Sequence, residues 1–192
     1  MSSPDDPILR PWRRISSEKA HDCRVFELKR LRFEPPDERP AAWFYVLDAP
    51  SWINVIPLTG DGRVILIRQY RFGTEGFTLE IPGGMCDGKE PPVEAARREL
   101  LEETGYEADE LVEIGWVHPN PAIQNNRCYT YLATGARETS APEPDPHEAF
   151  ERVLVPLERI PRLISDGTIT HALVVAAFHL YDRYRERISP AS

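Results

Sequence analysis

The first fifty residues contain two runs in which hydrophobic and polar positions alternate, as in strands with one buried face. These runs are residues 24–33 and 42–47, and the segment between them, 34–40, contains three prolines and is typical of a turn. The pattern predicts an extended antiparallel hairpin. Residues 1–20 are polar and contain proline, so we expect them to be loosely ordered apart from Trp12.

The next segment has the pattern of consecutive buried strands. Residues 53–58 and 63–69 are rich in β-branched side chains, and Thr59-Gly-Asp-Gly62 between them is a strong turn signal. A further short strand is predicted at 77–81, where Pro82-Gly-Gly84 ends it.

From Pro92 onward the spacing of apolar residues becomes helical. Pro92 suits the first helical turn and Gly105 suits the end, so a helix is predicted over 92–103. The apolar positions that recur every three or four residues are Val93, Ala96, Leu100 and Leu101.

The second half of the chain alternates between the two patterns. Strands are predicted at 111–118, 127–133 and 152–156, a Pro-rich acidic loop at 139–147, a short helix at 157–165 and a longer one at 170–187. The stripe predicted for the last helix consists of Leu173, Ala176, Ala177, Leu180, Tyr181 and Tyr184. The order strands, helix, strands, helix predicts an α/β (α+β) fold with a mixed sheet between helices.

Length and composition are those of one globular domain with an extension. The chain has 192 residues, of which 41% are hydrophobic and 28% charged. We expect no transmembrane helix, because no run of eighteen apolar residues occurs. The first residues, Met1-Ser-Ser-Pro-Asp-Asp-Pro, lack the basic and apolar regions of a signal peptide, so none is expected. Cys23, Cys86 and Cys128 lack metal-site spacing and indicate free thiols in a reducing cytoplasm.

The net charge of −8 restricts the possible partners. An acidic surface repels phosphate backbones, so binding to nucleic acid is not expected. The same charge would disfavour any phosphate-bearing substrate unless cations lie between protein and phosphate.

One cluster of acidic residues suits such cations. Glu99, Glu102 and Glu103 are spaced i, i+3 and i+4, so the predicted helix presents them on one face, where like charges repel. Arg97 and Arg98 offset part of that repulsion, and a divalent cation with oxygen ligands would offset more. A solvated helix face with arginine salt bridges is the alternative interpretation.

The residues around this cluster resemble the signature of a known family. Gly84, five residues, Glu90, seven residues and then Arg98-Glu-Leu-Leu-Glu-Glu-Thr-Gly-Tyr106 match the Nudix box at every defined position. Tyr106 is a loose match, because that position is more often aliphatic. Nine defined positions at fixed spacing form a specific signal.

The resemblance implies a Nudix fold (α/β/α) with a set of site residues. Glu99 and Glu103 would ligate Mg²⁺ or Mn²⁺, Glu102 would assist through a second ion or a water, and the carbonyl of Gly83 would be a further ligand. Arg98 would hold the glutamates, and Glu90 would brace the junction of loop and helix. The bound ion would neutralise diphosphate oxygens and activate water.

Residues outside the box resemble the branch of the family that cleaves ADP-ribose and nucleoside diphosphate sugars. The matching segments are Gln69-Tyr-Arg71, Glu80-Ile-Pro-Gly-Gly84 and Pro121. Asn120-Pro-Ala-Ile-Gln-Asn-Asn126 differs from the loop common in ADP-ribose enzymes, so the sugar stays open. The resemblance implies hydrolysis of a small nucleotide sugar to a nucleoside monophosphate and a sugar phosphate.

Several residues are candidates for contact with that substrate. Arg71 suits a forked hydrogen bond to phosphate, and Glu80 either pairs with an arginine near the site or is exposed. Asn120 and Gln124 either bind sugar hydroxyls or form the loop.

The candidates for two further roles lie farther from the box in sequence. In the family that the chain resembles, a glutamate on a loop past the box commonly activates the water. This resemblance makes Glu148 the first candidate for the base and Glu151 the second, and an acidic surface loop is the alternative. Trp12 and Trp43 are candidates for stacking on the nucleobase, although each could instead fill the core or a dimer interface. Trp52 and Phe44 are rivals for that role.

The resemblance also implies an arrangement of domains and copies. Residues 1–50 are predicted to form a dimerising β extension and 51–192 the Nudix domain of a homodimer. Two other functions stay open, namely a non-catalytic nucleotide sensor and a hydrolase of another diphosphate, such as a dinucleotide or coenzyme A.

Overall fold

A computed structural model describes residues 10–143 and 150–188, which form two compact units. The first unit contains the described residues up to Ala49 together with Asn120–Asn126. The second contains Pro50–Pro119 and the described residues from Arg127 onward. The division at residue 50 into functional domains, and dimerisation through the extension, stay predictions.

The first unit is built on a three-stranded antiparallel sheet of order β1-β2-β3. Its strands are β1 (Arg13–Asp22), β2 (Glu27–Glu34) and β3 (Ala42–Asp48). The predicted hairpin therefore corresponds to β2 and β3, which pair from Glu27↔Asp48 to Phe33↔Ala42.

The expectation of loose order before residue 20 is wrong from Arg13 onward. β1 pairs with β2 along its whole length, although every residue of β1 is exposed. Cross-strand ion pairs join the two strands, including Lys19–Glu27 at 2.7 Å and Arg30–Glu18 at 2.7 Å. Because β1 buries no face, it lacks the hydrophobic alternation by which a strand is recognised.

The second unit contains the remaining elements of the described chain. They are β4 (Trp52–Thr59), β5 (Arg63–Arg71), β6 (Gly76–Glu80), β7 (Gly83–Met85), α1 (Pro92–Thr104), β8 (Tyr106–Glu107), β9 (Glu110–Val117), β10 (Cys128–Glu138), β11 (Phe150–Pro156), a 3-10 turn (Leu157–Arg159), α2 (Ile160–Ser165) and α3 (Ala172–Ile188). The two shortest strands, β7 and β8, were not predicted, and β10 continues past its predicted end at 133. None of the described helices is long and apolar enough to cross a membrane.

The sheet of the second unit is mixed. Its order is β11-β5-β4-β10-β8, with β9 also paired to β10. β4 and β10 run parallel, while the other neighbours are antiparallel. The predicted mixed sheet is therefore confirmed.

Helices cover both faces of this sheet. Alternate residues of β4 point to opposite sides: Val55 packs with Ala95, Ala96 and Leu100 of α1, and Ile56 packs with the cluster that contains α3. Both sides are completely buried at these positions, which is why β4 and β5 have nearly continuous apolar sequences. The predicted layering of helix, sheet and helix is confirmed.

The predicted stripe of α3 is shifted around the helix. The buried residues are Val174, Ala177, Phe178 and Tyr181, whereas the predicted members Leu173, Ala176, Leu180 and Tyr184 are half-buried. In α1 the predicted Ala96 and Leu100 are buried together with Ala95, whereas the predicted Val93 and Leu101 are half-buried. Both helices have apolar residues on more than one side, so the spacing of those residues alone does not select the packed face.

β4 and β5 diverge, and this divergence creates space for a site. They pair at Leu58↔Val64, but toward the other end β4 pairs with β7 and β5 pairs with β6. The segment that joins β6 to β7 therefore passes through the gap between the two long strands. The Val55 N–H donates to the Pro82 carbonyl across that gap at 2.8 Å.

Gly105, which ends α1, is expected to be intolerant of a side chain. Its φ is +72°, and an added Cβ would lie 3.0 Å from the Ser140 carbonyl carbon and closer to the oxygen. We predict that Gly105→Ala lowers the free energy of unfolding by about 2–5 kcal/mol, from left-handed strain and overpacking together. Gly167→Ala is the matched control, because its φ is +78° but nothing lies within 4 Å. Equal losses for both variants in urea titrations would contradict the packing argument.

Candidate active site

Arg98 connects the acidic residues of α1 to the loop that precedes the helix. Its guanidinium donates to Glu90 at 3.2 and 3.1 Å, to Glu99 at 2.9 Å and to Glu102 at 3.0 Å. It also donates to the Met85 carbonyl at 3.1 Å. The hydrogen bonds with Glu90 are the largest cause that raises the pKa of Arg98, and in return they lower the pKa of Glu90. Arg98 thus stays charged while it offsets the repulsion between carboxylates.

The carboxylates of Glu103 and Glu99 lie against the backbone of β7. The Gly83 N–H donates to Glu103 Oε2 at 2.8 Å, and the Glu103 residue is only 4% exposed. A Cβ on Gly84 would lie 2.5 Å from the carboxyl carbon of Glu99 and would overlap one of its oxygens. The absence of a side chain at position 84 therefore allows Glu99 to approach the loop, while the Gly83 N–H binds Glu103.

This donor set fits a divalent oxygen-seeking cation. The carboxylates of Glu99, Glu102 and Glu103 lie on one turn of α1, next to the backbone of Gly83–Gly84. Divalent cations of this kind prefer oxygen ligands. Among the described residues, no group of three or more His, Cys, Asp or Glu side chains is already arranged as a metal cage. Arg98 and the Gly83 N–H engage the carboxylate oxygens instead, so an ion would replace hydrogen bonds.

A cavity of about 810 Å³ opens beside this cluster, within the second unit. Gly83 and Gly84 form part of its wall, Arg71 and Glu80 another part, and residues 170–174, at the start of α3, a third. Its volume is in the range of small-molecule sites. The divergence of β4 from β5 provides the space, since the lining residues come from both strands and from the segment between them.

Arg71 and Glu80 form a forked ion pair in the wall of this cavity. Arg71 donates through Nε at 2.9 Å and through Nη2 at 2.7 Å, and the Thr78 hydroxyl donates to the same carboxylate at 2.5 Å. Glu80 is 3% exposed, whereas the Arg71 side chain is 43% exposed. Burial by itself would raise the pKa of Glu80, but the hydrogen bonds from Arg71 and Thr78 outweigh it and lower that pKa. Of the two alternatives for Glu80, pairing with an arginine near the site is the one found.

Besides three threonines, two polar residues in the cavity wall were not predicted. They are Asn54 in β4 and His171 immediately before α3. Asn54 lies among apolar residues of β4, whose other polar side chain is Thr59 at its end, and His171 precedes an apolar helical run. Those were the available signals, but neither position belongs to a recognisable motif.

The predicted substrate-binding residues of the first unit are two exposed tryptophans and two residues of the 120–126 loop. Trp12 is 39% exposed and packs edge-to-face on Phe44, while the Arg30 guanidinium lies 4.3 Å from the ring centroid of Trp43. The Asn120 carbonyl accepts from the Ile123 and Gln124 N–H groups, so Asn120 forms the turn of its loop. The roles of Trp12, Trp43, Asn120 and Gln124 in binding stay predictions.

Glu148 lies outside the described residues. Glu151 is on β11 with an exposed side chain, and its carboxylate is 3.6 Å from Arg68 on the paired strand. Trp52, a rival for the nucleobase, lines the cavity of the second unit.

The Arg71–Glu80 pair predicts a specific pH dependence of stability. Because its pKa is lowered in the folded chain, Glu80 contributes stability above its unfolded pKa, and that contribution is lost as the pH falls through the folded pKa. Glu80→Gln should cost about 1–3 kcal/mol at neutral pH. The difference from wild type in urea titrations should stay constant from about pH 8 to 5.5 and shrink only below about 4.5. A difference that already declines between pH 7 and 5.5 would contradict this assignment.

Comparison with known proteins places the chain in a family. The family model described as "NUDIX domain" matches residues 49–178, about two thirds of the chain. An ADP-ribose pyrophosphatase of Mycobacterium tuberculosis is 28% identical over 165 residues, which cover 84% of this chain and 79% of that protein. ADP compounds hydrolase NudE of Escherichia coli is 31% identical over 67% of this chain and 68% of its own length.

Two further matches add to this. An ADP-ribose pyrophosphatase of Bacillus subtilis is 30% identical over 62% of this chain, and the match spans 64% of that protein's length. A crystal structure of an ADP compounds hydrolase superposes with a TM-score of 0.82 at 24% identity and covers 95% of this chain and 98% of that chain, which shows the same fold. The chain therefore belongs to the Nudix hydrolase family.

Proposed function

We propose that this protein hydrolyses the diphosphate bond of a nucleoside diphosphate sugar, with ADP-ribose as the first candidate. Water plus the substrate would yield a nucleoside monophosphate and a sugar phosphate. The observation that carries the proposal is the position of the acidic face of α1 beside the Gly83–Gly84 wall of a cavity that also contains Arg71. Relatives named ADP-ribose pyrophosphatase, ADP-sugar pyrophosphatase and ADP compounds hydrolase support the substrate class.

Mg²⁺, or Mn²⁺ in its place, is the proposed cofactor. Glu99, Glu102 and Glu103, with the carbonyl of Gly83, would hold it, and when bound it would neutralise phosphate oxygens and polarise a water molecule. The acidic composition of the chain favours such an arrangement, because cations would then lie between the carboxylates and the diphosphate.

Arg98 and Glu90 are proposed to keep the ligands in position. The Arg98 guanidinium bridges Glu99 and Glu102 and is itself held by the two oxygens of Glu90. Arg98 would therefore fix the spacing of the carboxylates without contact to the substrate. Loss of the Glu90 carboxylate would release the guanidinium and loosen the cation site.

Arg71 is proposed to bind a phosphate of the substrate. Its side chain is partly exposed in the cavity wall, and a guanidinium forms short charge-assisted hydrogen bonds with phosphate oxygens. Glu80 would act through Arg71, because the buried carboxylate accepts the Nε and Nη2 hydrogen bonds and fixes the guanidinium. Glu80 is thus a positioning residue in this proposal.

The remaining parts of the proposal rest on the resemblance to the family. Glu148 is the proposed base that takes a proton from the attacking water, with Glu151 as the second candidate. Trp12 and Trp43 are proposed for the nucleobase, and Asn120 and Gln124 for the sugar. A cytoplasmic homodimer is the proposed form of the protein.

The first test is turnover of a substrate panel. We expect phosphate release after coupling to a phosphatase with ADP-ribose and with other nucleotide sugars, and no release when the divalent cation is chelated. Dinucleotides and coenzyme A should react more slowly. Tight binding of ADP-ribose without any hydrolysis would instead identify a nucleotide sensor, and turnover of none of these compounds would refute the proposal.

The second test replaces one carboxylate on α1. Glu103→Gln should lower kcat by a factor of about 100 or more, because it weakens a proposed metal ligand while the side chain keeps its shape. Glu94→Gln is the matched control, since it removes the same charge from the same helix at an exposed position paired with Arg97. Both variants should show the circular dichroism spectrum of the wild type. Wild-type activity in Glu103→Gln would contradict the metal assignment.

A further inference from the structure

Asn54 has a buried hydrogen-bond acceptor that the described protein atoms leave unused. The residue is 6% exposed, and its Nδ2 donates to the Leu173 carbonyl at 3.3 Å, which orients the amide. Oδ1 of the same amide is buried and has no hydrogen-bond partner in the structure. Buried polar atoms are usually satisfied, so an unused one in the wall of a cavity indicates a ligand or an ordered water.

His171 has a second atom of this kind in the same wall. Its Nδ1 is buried without a hydrogen-bond partner, and its Nε2 lies 3.9 Å from Glu80 Oε2. The negative charge of Glu80 favours the tautomer with the proton on Nε2, and Nδ1 is then an acceptor. The His171 carbonyl also accepts the Val174 and Val175 N–H groups, so the start of α3 fixes the position of the residue.

Both residues lie close to the groups proposed for the diphosphate. Asn54 pairs directly with Gly83 across the β4–β7 ladder, and Gly83 is the residue whose N–H binds Glu103. His171 is near Glu80, which holds Arg71. Asn54 and His171 therefore line the same cavity as Arg71 and the Gly83–Gly84 backbone.

We propose, on the basis of the function proposed above, that Asn54 Oδ1 and His171 Nδ1 accept hydrogen bonds from hydroxyl groups of the sugar phosphate half of the substrate. Two acceptors in the wall of the same cavity complement a ligand that is rich in hydroxyl donors, and a sugar is such a ligand. A nucleobase would instead require aromatic or apolar surfaces on both of its faces. The aromatic rings in the cavity lining are Trp52, which is half-buried in β4, and Phe72, which is exposed in the turn that follows β5.

The test compares the binding of the two halves of the substrate. In titration calorimetry with the full chain, Asn54→Leu should weaken ribose 5-phosphate about tenfold, the effect of one lost hydrogen bond, and leave AMP unchanged. His171→Phe should weaken the same ligand. Thr130→Val is the matched control, because Thr130 is a buried polar residue paired with Asn54 on the neighbouring strand but does not line the cavity. It should bind both ligands like the wild type.

A change in the ligand serves as a check that needs no variant. Wild type should bind ribose 5-phosphate more tightly than 2-deoxyribose 5-phosphate, or than another analogue from which one hydroxyl group is missing. Asn54→Leu should lose that discrimination for at least one analogue. This comparison decides the matter even if Asn54→Leu fails to fold, because wild-type binding that is indifferent to every hydroxyl would overturn the proposal.

Other outcomes would also overturn it. Weakened AMP binding with intact ribose 5-phosphate binding would place the nucleoside at Asn54. If Asn54→Leu kept its affinity for ribose 5-phosphate but required a higher Mg²⁺ concentration for half-maximal binding of the cation, Asn54 would be a cation ligand. Since these titrations require no turnover, they remain distinguishable from failure of the hydrolysis assay, which refutes the proposed function by itself.

Discussion

The close passage of the Gly83–Gly84 backbone between β4 and α1 is the constraint on which the site depends. A Cβ on Gly83 would lie 2.5 Å from the Ile53 carbonyl oxygen, and one on Gly84 would displace the carboxylate of Glu99. Backbone atoms of β4 cannot move aside without breaking the sheet, so Gly83 has no substitute. Because both positions lack side chains, the loop can pair with β4 and receive the carboxylates of α1 at the same time.

The acidic face of α1 illustrates how a locally unfavourable feature is held in a folded chain. Three carboxylates at helical spacing repel one another, and Arg98 with the Gly83 N–H provides the compensating hydrogen bonds. The compensation is only partial, since Glu102 is still about half exposed. Such a cluster is suited to exchange its hydrogen bonds for a divalent cation.

The polar groups of the cavity belong to one connected arrangement. Glu80 is buried and holds Arg71, while His171 lies near the same carboxylate and Asn54 is tied to the first turn of α3. Glu80, Arg71 and Asn54 come from β6, β5 and β4, and His171 directly precedes α3. Residues of these four elements belong to the two apolar clusters on the faces of the sheet. The packing of apolar side chains thereby determines the spacing of the polar ones.

The sequence by itself determined those features that depend on neighbours along the chain. The bounds of α1, with Pro92 at its start and Gly105 at its end, follow from local helical spacing and from termini that need particular residues. The Nudix box and the acidic face also follow, because helical periodicity alone brings Glu99, Glu102 and Glu103 together. The β4–β5 hairpin is equally local.

Only the tertiary structure decided the features that join distant segments or lack a buried face. β1 has no hydrophobic alternation and is recognised only through its pairing with β2. Asn54 and Leu173 are 119 residues apart, and nothing in the sequence around either predicts their hydrogen bond. Which face of α3 is buried also depends on the sheet beneath it. The reason is the same in each case. Long-range contacts depend on how the surfaces of folded elements fit together, and a local sequence pattern does not specify which distant segment will pack against it.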